Sequence, residues 1–118
     1  MTTIRRGTVW LFDLRPTIGS EQDKVRPCVI VQRDSANERS PTTIACPLKN
    51  ARGGKASLLN VLVRAPEGGV SRDSLVICNQ VRVLDRLRLR GEMLGILTPN
   101  TMAQIDEALR VILDLGDD

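Results

Sequence analysis

The chain has 118 residues, 42% apolar and 26% charged, with a formal net charge of +3, which fits one domain spanning 1–118 with its own core. It contains no histidine and no tyrosine, one Trp and one Phe. That excludes Ser-His-Asp and Cys-His catalysis, a histidine acid–base pair and the usual catalytic zinc sets, and argues against an aromatic platform for stacking bases.

The N-terminal MTTIRRGTVW has no apolar leader core, and no window reaches the ~18 to 20 apolar residues of a membrane helix, so the expectation is a cytoplasmic protein without membrane contact. Residues 1–95 carry sixteen Lys/Arg against nine Asp/Glu, and residues 96–118 carry one against five. A basic body with an acidic end is compatible with a polyanionic partner. Cys28, Cys46 and Cys78 lie in PCVIV, IACPL and VICNQ with no CxxC spacing, and read as buried reduced thiols.

In chain order, short β-branched runs separated by turn-formers predict strands at Thr8–Leu14, Arg26–Gln32, Thr42–Pro47, Leu58–Val63, Ser74–Asn79 and Val81–Leu84. The segments between them are polar and rich in Gly, Pro, Asn or Ser, and read as loops. A short helical turn is expected over Asp85–Arg90. Met102, Ile105, Leu109, Ile112 and Leu115, with Ala108 and Val111, recur at steps of three and four, the mark of an amphipathic helix packed on a sheet. Thr98 suits its N-cap, Pro99 its first turn and Gly116 its stop. The pattern predicts a small antiparallel sheet or barrel with a C-terminal helix.

Pro27 has no N–H, so it belongs at a strand's first residue or on an edge, and it holds Arg26 extended. Arg26 is thereby fixed at the end of the Val29–Val31 run, beside the Gly19–Lys24 loop. Its guanidinium suits either a salt bridge to Glu21 or Asp23 or bidentate contact with a phosphate.

The stretch RRGTVWLFDLRPTIGSEQDKVRPCVIVQRD resembles the opening of the MazF/PemK-type toxins of toxin–antitoxin pairs. The elements are Arg6-Gly7, Asp13-Leu14, Pro16, Gly19-Ser20-Glu21-Gln22 and Arg26-Pro27. SPTTIACPL, SRDSLVICNQVRVLD and IDEALRVIL continue the likeness in order over nearly the whole chain. The resemblance implies an SH3-like β-barrel with a C-terminal helix, acting as a homodimer. It also implies a sequence-specific, metal-independent endoribonuclease needing no cofactor, which cuts single-stranded RNA. An antitoxin with an acidic, flexible tail is the implied protein partner.

Arg26 matches the family's catalytic arginine, suited to stabilising charge on the phosphorane. Where the family commonly has a threonine just after the third strand, this chain has Lys49, which suits holding the phosphate or, once desolvated, acting as base. Glu21 suits orienting Arg26 or accepting a proton. Ser20 and Gln22 share its loop with substrate-contacting positions of the family. Gln80 matches a position near the recognition groove, where an amide reads a base edge. Lys24, Arg52 and Lys55 suit backbone phosphate contacts. Arg82, Arg86, Arg88 and Arg90 read as a solvated face. Two alternatives share the same barrel: a gyrase-binding toxin like CcdB, and an inactive interaction module.

Overall fold

The computed structural model describes residues 3–22 and 24–116. Seven strands, β1 (Thr8–Asp13), β2 (Val25–Ile30), β3 (Thr42–Asn50), β4 (Asn60–Val63), β5 (Ser74–Ile77), β6 (Arg82–Asp85) and β7 (Leu89–Ile96), form one antiparallel sheet. Its order is β4-β5-β3-β2-β1-β7, with β6 also paired to β3. The end strands β4 and β7 are not bonded to each other, so the expected barrel is an open, curled sheet. The mainly-β architecture with a C-terminal helix stands.

β3 is the hub. Its first half pairs with β6 (Thr42↔Asp85 to Ala45↔Arg82), its middle with β2 (Ala45↔Ile30 to Pro47↔Cys28) and its end with β5 (Leu48↔Val76 to Asn50↔Ser74). It runs three residues past the expected end at Pro47, so Lys49 is part of the strand and sits opposite Leu75. Pro27 is the third residue of β2, opposite Leu11. The β2–β3 ladder begins only at Cys28, so the missing N–H of Pro27 falls where β2 has a local edge.

Alternation along the central strands feeds two apolar clusters. Val9, Val29, Cys46 and Leu48 enter one, with Val61, Val63, Val76 and the inner face of the C-terminal helix. Trp10, Phe12, Cys28, Ile30 and Ala45 enter the other, with Ile4, Leu14 and Leu84. Both faces of β1–β3 are covered, which is why these strands read as unbroken apolar runs. The three cysteines are free and buried, as expected. Burial pushes the Cys28 thiol up to about 12, far from a reactive thiolate.

Helix α2 (Pro99–Ile112) starts where the sequence places it: the Thr98 hydroxyl accepts from Thr101 N–H at 3.2 Å. Glu67 braces this end by accepting from Thr98 N–H at 3.0 Å. Burial alone would raise the Glu67 pKa, but hydrogen bonds from Thr101 and Thr98 outweigh it and hold it below the ordinary value. Met102, Ile105 and Ala108 are buried and Leu109 and Ile112 pack beside them, whereas Val111 and Leu115 face solvent. The helix stops before the expected Gly116. Asp114 takes the left-handed conformation (φ 56°), with Asp114 N–H donating to Val111 O and Leu115 N–H to Arg110 O. That is a Schellman cap with aspartate in the glycine position.

Two elements were not anticipated. A one-turn helix, α1 (Asp34–Asn37), lies in a segment read as loop. It is fixed by buried Asn37, which bonds Gln32, Thr43 and Asp34. The helical turn expected over Asp85–Arg90 is a 3-10 turn at Arg86–Arg88, and β7 follows it directly. β7 reads poorly because of its glycines: a Cβ at Gly95 would lie 2.5 Å from Gly68 C and one at Gly69 2.0 Å from Leu94 O. The backbones touch there, and only glycine permits it.

Candidate active site

Arg26, partly buried near the start of β2, and Lys49, exposed near the end of β3, line the same two adjoining depressions. One, about 360 Å³, adds Asn50, Ser71, Arg72 and Ser74; the other, about 460 Å³, adds Gln22, Asn50, Arg52 and Gly54. The floor is rigid because Lys49 and Asn50 are held in the β3–β5 ladder and Arg26 in the β1–β2 ladder opposite Phe12. Arg26, Lys49, Arg52 and Arg72 thus converge on one concave surface lined by hydroxyls and two amides. Such a surface binds anions and spreads charge developing on a phosphate.

The other expected residues divide. Arg52 lines the second depression, with φ 49° and its N–H bonded to Asn50 Oδ1 at 3.0 Å. Lys55 is exposed farther along the same loop. Lys24 (φ 67°) is exposed, and its carbonyl accepts from Leu14 N–H at 2.9 Å across the loop neck. Ser20 is exposed, with its carbonyl accepting from Gln80 Nε2 at 3.2 Å. Glu21 lines a third recess of about 200 Å³ with Gln22, Gln80 and Arg82, and Oε1 accepts from Ile18 N–H at 2.7 Å. Glu21 therefore shapes its own turn and is not gathered with Arg26 and Lys49. The alternative partner of Arg26, Asp23, lies outside the described residues. Gln80, expected to offer its amide to a base, has both ends of that amide committed to the loop.

The solvated face expected of Arg82, Arg86, Arg88 and Arg90 is a structural brace. Arg86 donates to Ser40 O at 3.2 Å and to Asn37 O. Arg88 reaches the carbonyls of Asp13 and Arg15, and Arg82 that of Leu14. Asp13 binds Arg15 and Arg90, and the hydrogen bonds from Arg15 hold its carboxyl well below the usual range. A larger depression of about 840 Å³ lies beside Thr3, Asn37, Arg39 and Arg86. The Arg86 guanidinium there is engaged with backbone, so size does not mark the chemistry. Sequence reasoning missed Arg72 and Asn50 as lining residues. Arg72 lies in the SRDS motif, but only the pairing of β5 with β3 brings it beside Lys49.

Among the described residues no helix is long and apolar enough to cross a membrane. Residues 5–113 match the family model for the PemK-like, MazF-like toxin of type II toxin–antitoxin systems. The chain is 38% identical over 114 residues to Endoribonuclease MazF of Staphylococcus epidermidis, covering 97% of this chain and 94% of that one. Among solved structures, MazF from Deinococcus radiodurans superposes with a TM-score of 0.82 at 23% identity, covering 97% of this chain and 99% of that one. An endoribonuclease from a mycobacterial species, solved in complex with its cognate antitoxin, gives 0.77 at 24%, covering 97% and 98%. These findings favour the nuclease over the gyrase-binding and inactive alternatives, and the chain belongs to the PemK-like, MazF-like toxins of type II toxin–antitoxin systems, as a MazF-type endoribonuclease.

Proposed function

We propose that the chain cuts single-stranded RNA at specific sequences without metal or cofactor, using the RNA's own 2′-OH as nucleophile. The 2′ oxygen attacks the adjacent phosphorus and loses its proton to solvent. The bond to the 5′ oxygen breaks, and that oxygen takes up a proton. The products are a 2′,3′-cyclic phosphate and a 5′-OH. The observation that carries this reading is the meeting of Arg26 and Lys49, from two different strands, on one pair of depressions.

Arginine stays protonated at neutral pH, so Arg26 supplies charge to the phosphorane oxygens and not a base. Lys49 is exposed, which suits a cation gripping the scissile phosphate better than a desolvated base. Arg52 and Arg72 carry the flanking backbone on either side, and Lys24 and Lys55 extend the positive surface. Glu21, Ser20 and Gln22 act by fixing the loop at the rim.

The chain acts inside the cell, in the cytoplasm, where its RNA is, as a single toxin domain in a homodimer. β7 leaves an open sheet edge with Met93 and Ile96 exposed for such a contact. A cognate antitoxin, implied by the family, silences it by laying an acidic segment over the same cations. The test is incubation with a long single-stranded RNA in EDTA, followed by mapping of the ends. Discrete cuts with cyclic phosphate ends are expected. A change in DNA supercoiling by gyrase with no cuts, or no effect on either, overturns the proposal.

A further inference from the structure

We infer that Gln80 is a positioning residue whose single side-chain amide clamps the Gly19–Gln22 loop from both sides and so sets the Gln22 rim of the cation-lined depression. Its Oε1 accepts from Gln22 N–H at 2.7 Å, and its Nε2 donates to Ser20 O at 3.2 Å. The orientation of the amide is not a free choice. A backbone N–H only donates and a carbonyl only accepts, so these two partners fix which end is oxygen. Because they are two residues apart, the amide closes a ring around Glu21.

The ring is closed from within as well. Glu21 N–H donates to Ile18 O at 3.2 Å, and Glu21 Oε1 accepts from Ile18 N–H at 2.7 Å. Two residues beyond Gln80, Arg82 Nη1 donates to Leu14 O at 3.4 Å, at the root of the loop. Leu14 N–H in turn donates to Lys24 O at 2.9 Å and shuts the neck. The clamp stands on firm ground: Gln80 ends a 3-10 turn begun by Cys78, which is fully buried and bonded through its N–H to Leu59 O at 2.9 Å. Among its described residues the loop has no buried anchor of its own, and Ile18 at its tip is 83% exposed. A segment with few buried apolar contacts opens locally unless polar bonds hold it. Gln22 is where this matters, because it lines both the clamp's recess and the depression that holds Arg26 and Lys49. A glutamine that read a base would have to surrender these bonds on binding RNA; a positioning glutamine keeps them.

The effect on cleavage rests on the endoribonuclease reading, while the clamp is a property of the RNA-free protein, so the two can fail separately. The experiment uses Gln80→Met, which keeps length and loses both bonds, and Gln80→Glu, which keeps the acceptor for Gln22 and loses the donor to Ser20. Among the described residues, Glu21 and Arg82 line the same recess and are the charged groups the new carboxylate would meet. Amide hydrogen exchange in the RNA-free full chain should show Gln22 about tenfold less protected in Gln80→Met. In Gln80→Glu it should stay within about twofold of the parent. Cleavage should slow by a similar factor in Gln80→Met at every site, in kcat more than in KM, with the cut sequence unchanged. If Gln80→Met does not fold, Gln80→Ala is read the same way. Unchanged protection of Gln22, or a changed base preference at one position of the cut site, overturns the assignment. Absence of cleavage by the parent chain would sink the functional reading and leave the exchange result to decide the clamp.

Discussion

Two arginine-rich regions of this molecule put the same side chain to opposite uses. In the 82–90 segment, Arg82, Arg86, Arg88 and Arg90 all aim guanidinium N–H groups at backbone carbonyls. At the end of β3, Lys49, Arg52 and Arg72 have no carboxylate within ion-pair distance among the described residues, and they share depressions with Arg26. The first set is stabilising because a buried or half-buried carbonyl without a donor is costly. Lys49, Arg52 and Arg72 leave their charge to solvent, where a phosphate can displace water. Composition is the same in both places; what differs is whether loops with unmet carbonyls pass nearby.

The strongest way to break this contrast is to exchange the outcomes. Arg26→Ala should lower cleavage of single-stranded RNA by about a hundred- to a thousandfold, the loss typical of removing one donor to a developing oxyanion. Its thermal midpoint should stay within a few degrees of the parent. Arg86→Ala should do the reverse. It strands the carbonyls of Asn37 and Ser40, and bonds from a charged donor are worth about 1.5–3 kcal/mol each. Denaturant unfolding should register that loss while cleavage per folded molecule is kept. Wild-type cleavage by folded Arg26→Ala, or a deep cleavage defect in Arg86→Ala at unchanged stability, would erase the distinction between the regions.

A smaller effect is expected at Lys49. Lys49→Ala should slow cleavage by about ten- to a hundredfold, less than the hundred- to ten-thousandfold typical of a general acid or base, because Lys49 grips the phosphate and moves no proton. Lys49→Thr, which restores the residue common in the family, should recover part of it. Measured under single-turnover conditions, indifference to both changes would show that Arg26 needs no second cation.

Much of this architecture is legible in the chain itself, and the exceptions share a physical cause. Strands β1 to β3 announce themselves because Val9, Phe12, Val29, Ile30 and Cys46 are buried from both sides of the sheet. α2 is readable from Thr98 onward because capping and stripe are local. β7 is not readable: Gly95 serves a remote close approach to the 68–69 turn, which no local pattern encodes, and Gly91 takes a positive φ of 82°. Nor is α1, one turn held by the side chain of buried Asn37 bonding Gln32 and Thr43 to either side of it, in a segment whose Asp, Ser and Asn read as turn-formers. At the site, Arg26 and Lys49 could be singled out from motif position. Arg72 could not, since its place depends on β5 pairing with the far end of β3. Gln80 reads as a base contact from its match to the family's groove position, and only the fold supplies the loop that takes its amide.

The flanking cations sharpen the contrast through salt. Each phosphate contact on a single strand contributes about 0.7 to the slope of log affinity against log salt. Arg52→Ala and Arg72→Ala should each reduce that slope by about this amount for an RNA carrying a 2′-deoxy block at the cut site, weakening all sequences alike. Arg90→Ala should leave the slope unaltered, because its N–H groups serve Leu87 O, Leu89 O and Asp13. Filter binding over a salt series separates the two outcomes, and an Arg90 slope change equal to that of Arg72 would place both regions on the RNA.

The smallest effect concerns the brace itself and acid. Hydrogen bonds from Arg15 hold the Asp13 carboxyl below its ordinary value, with Arg90 adding to the effect, and the Arg6 N–H bond does the same for Asp34. A carboxyl whose pKa is lower folded than unfolded contributes stability that is complete above the unfolded value, about 4, and fades as pH falls through the folded one. Asp13→Asn should therefore melt slightly below the parent near pH 7, and the gap should narrow as pH drops from about 4 toward 2. The shift is small because exposed pairs are weak and screened by salt. Melting curves over that range decide it. A gap that does not narrow at all between pH 4 and pH 2 would mean that Asp13 acts through shape and not through its charge.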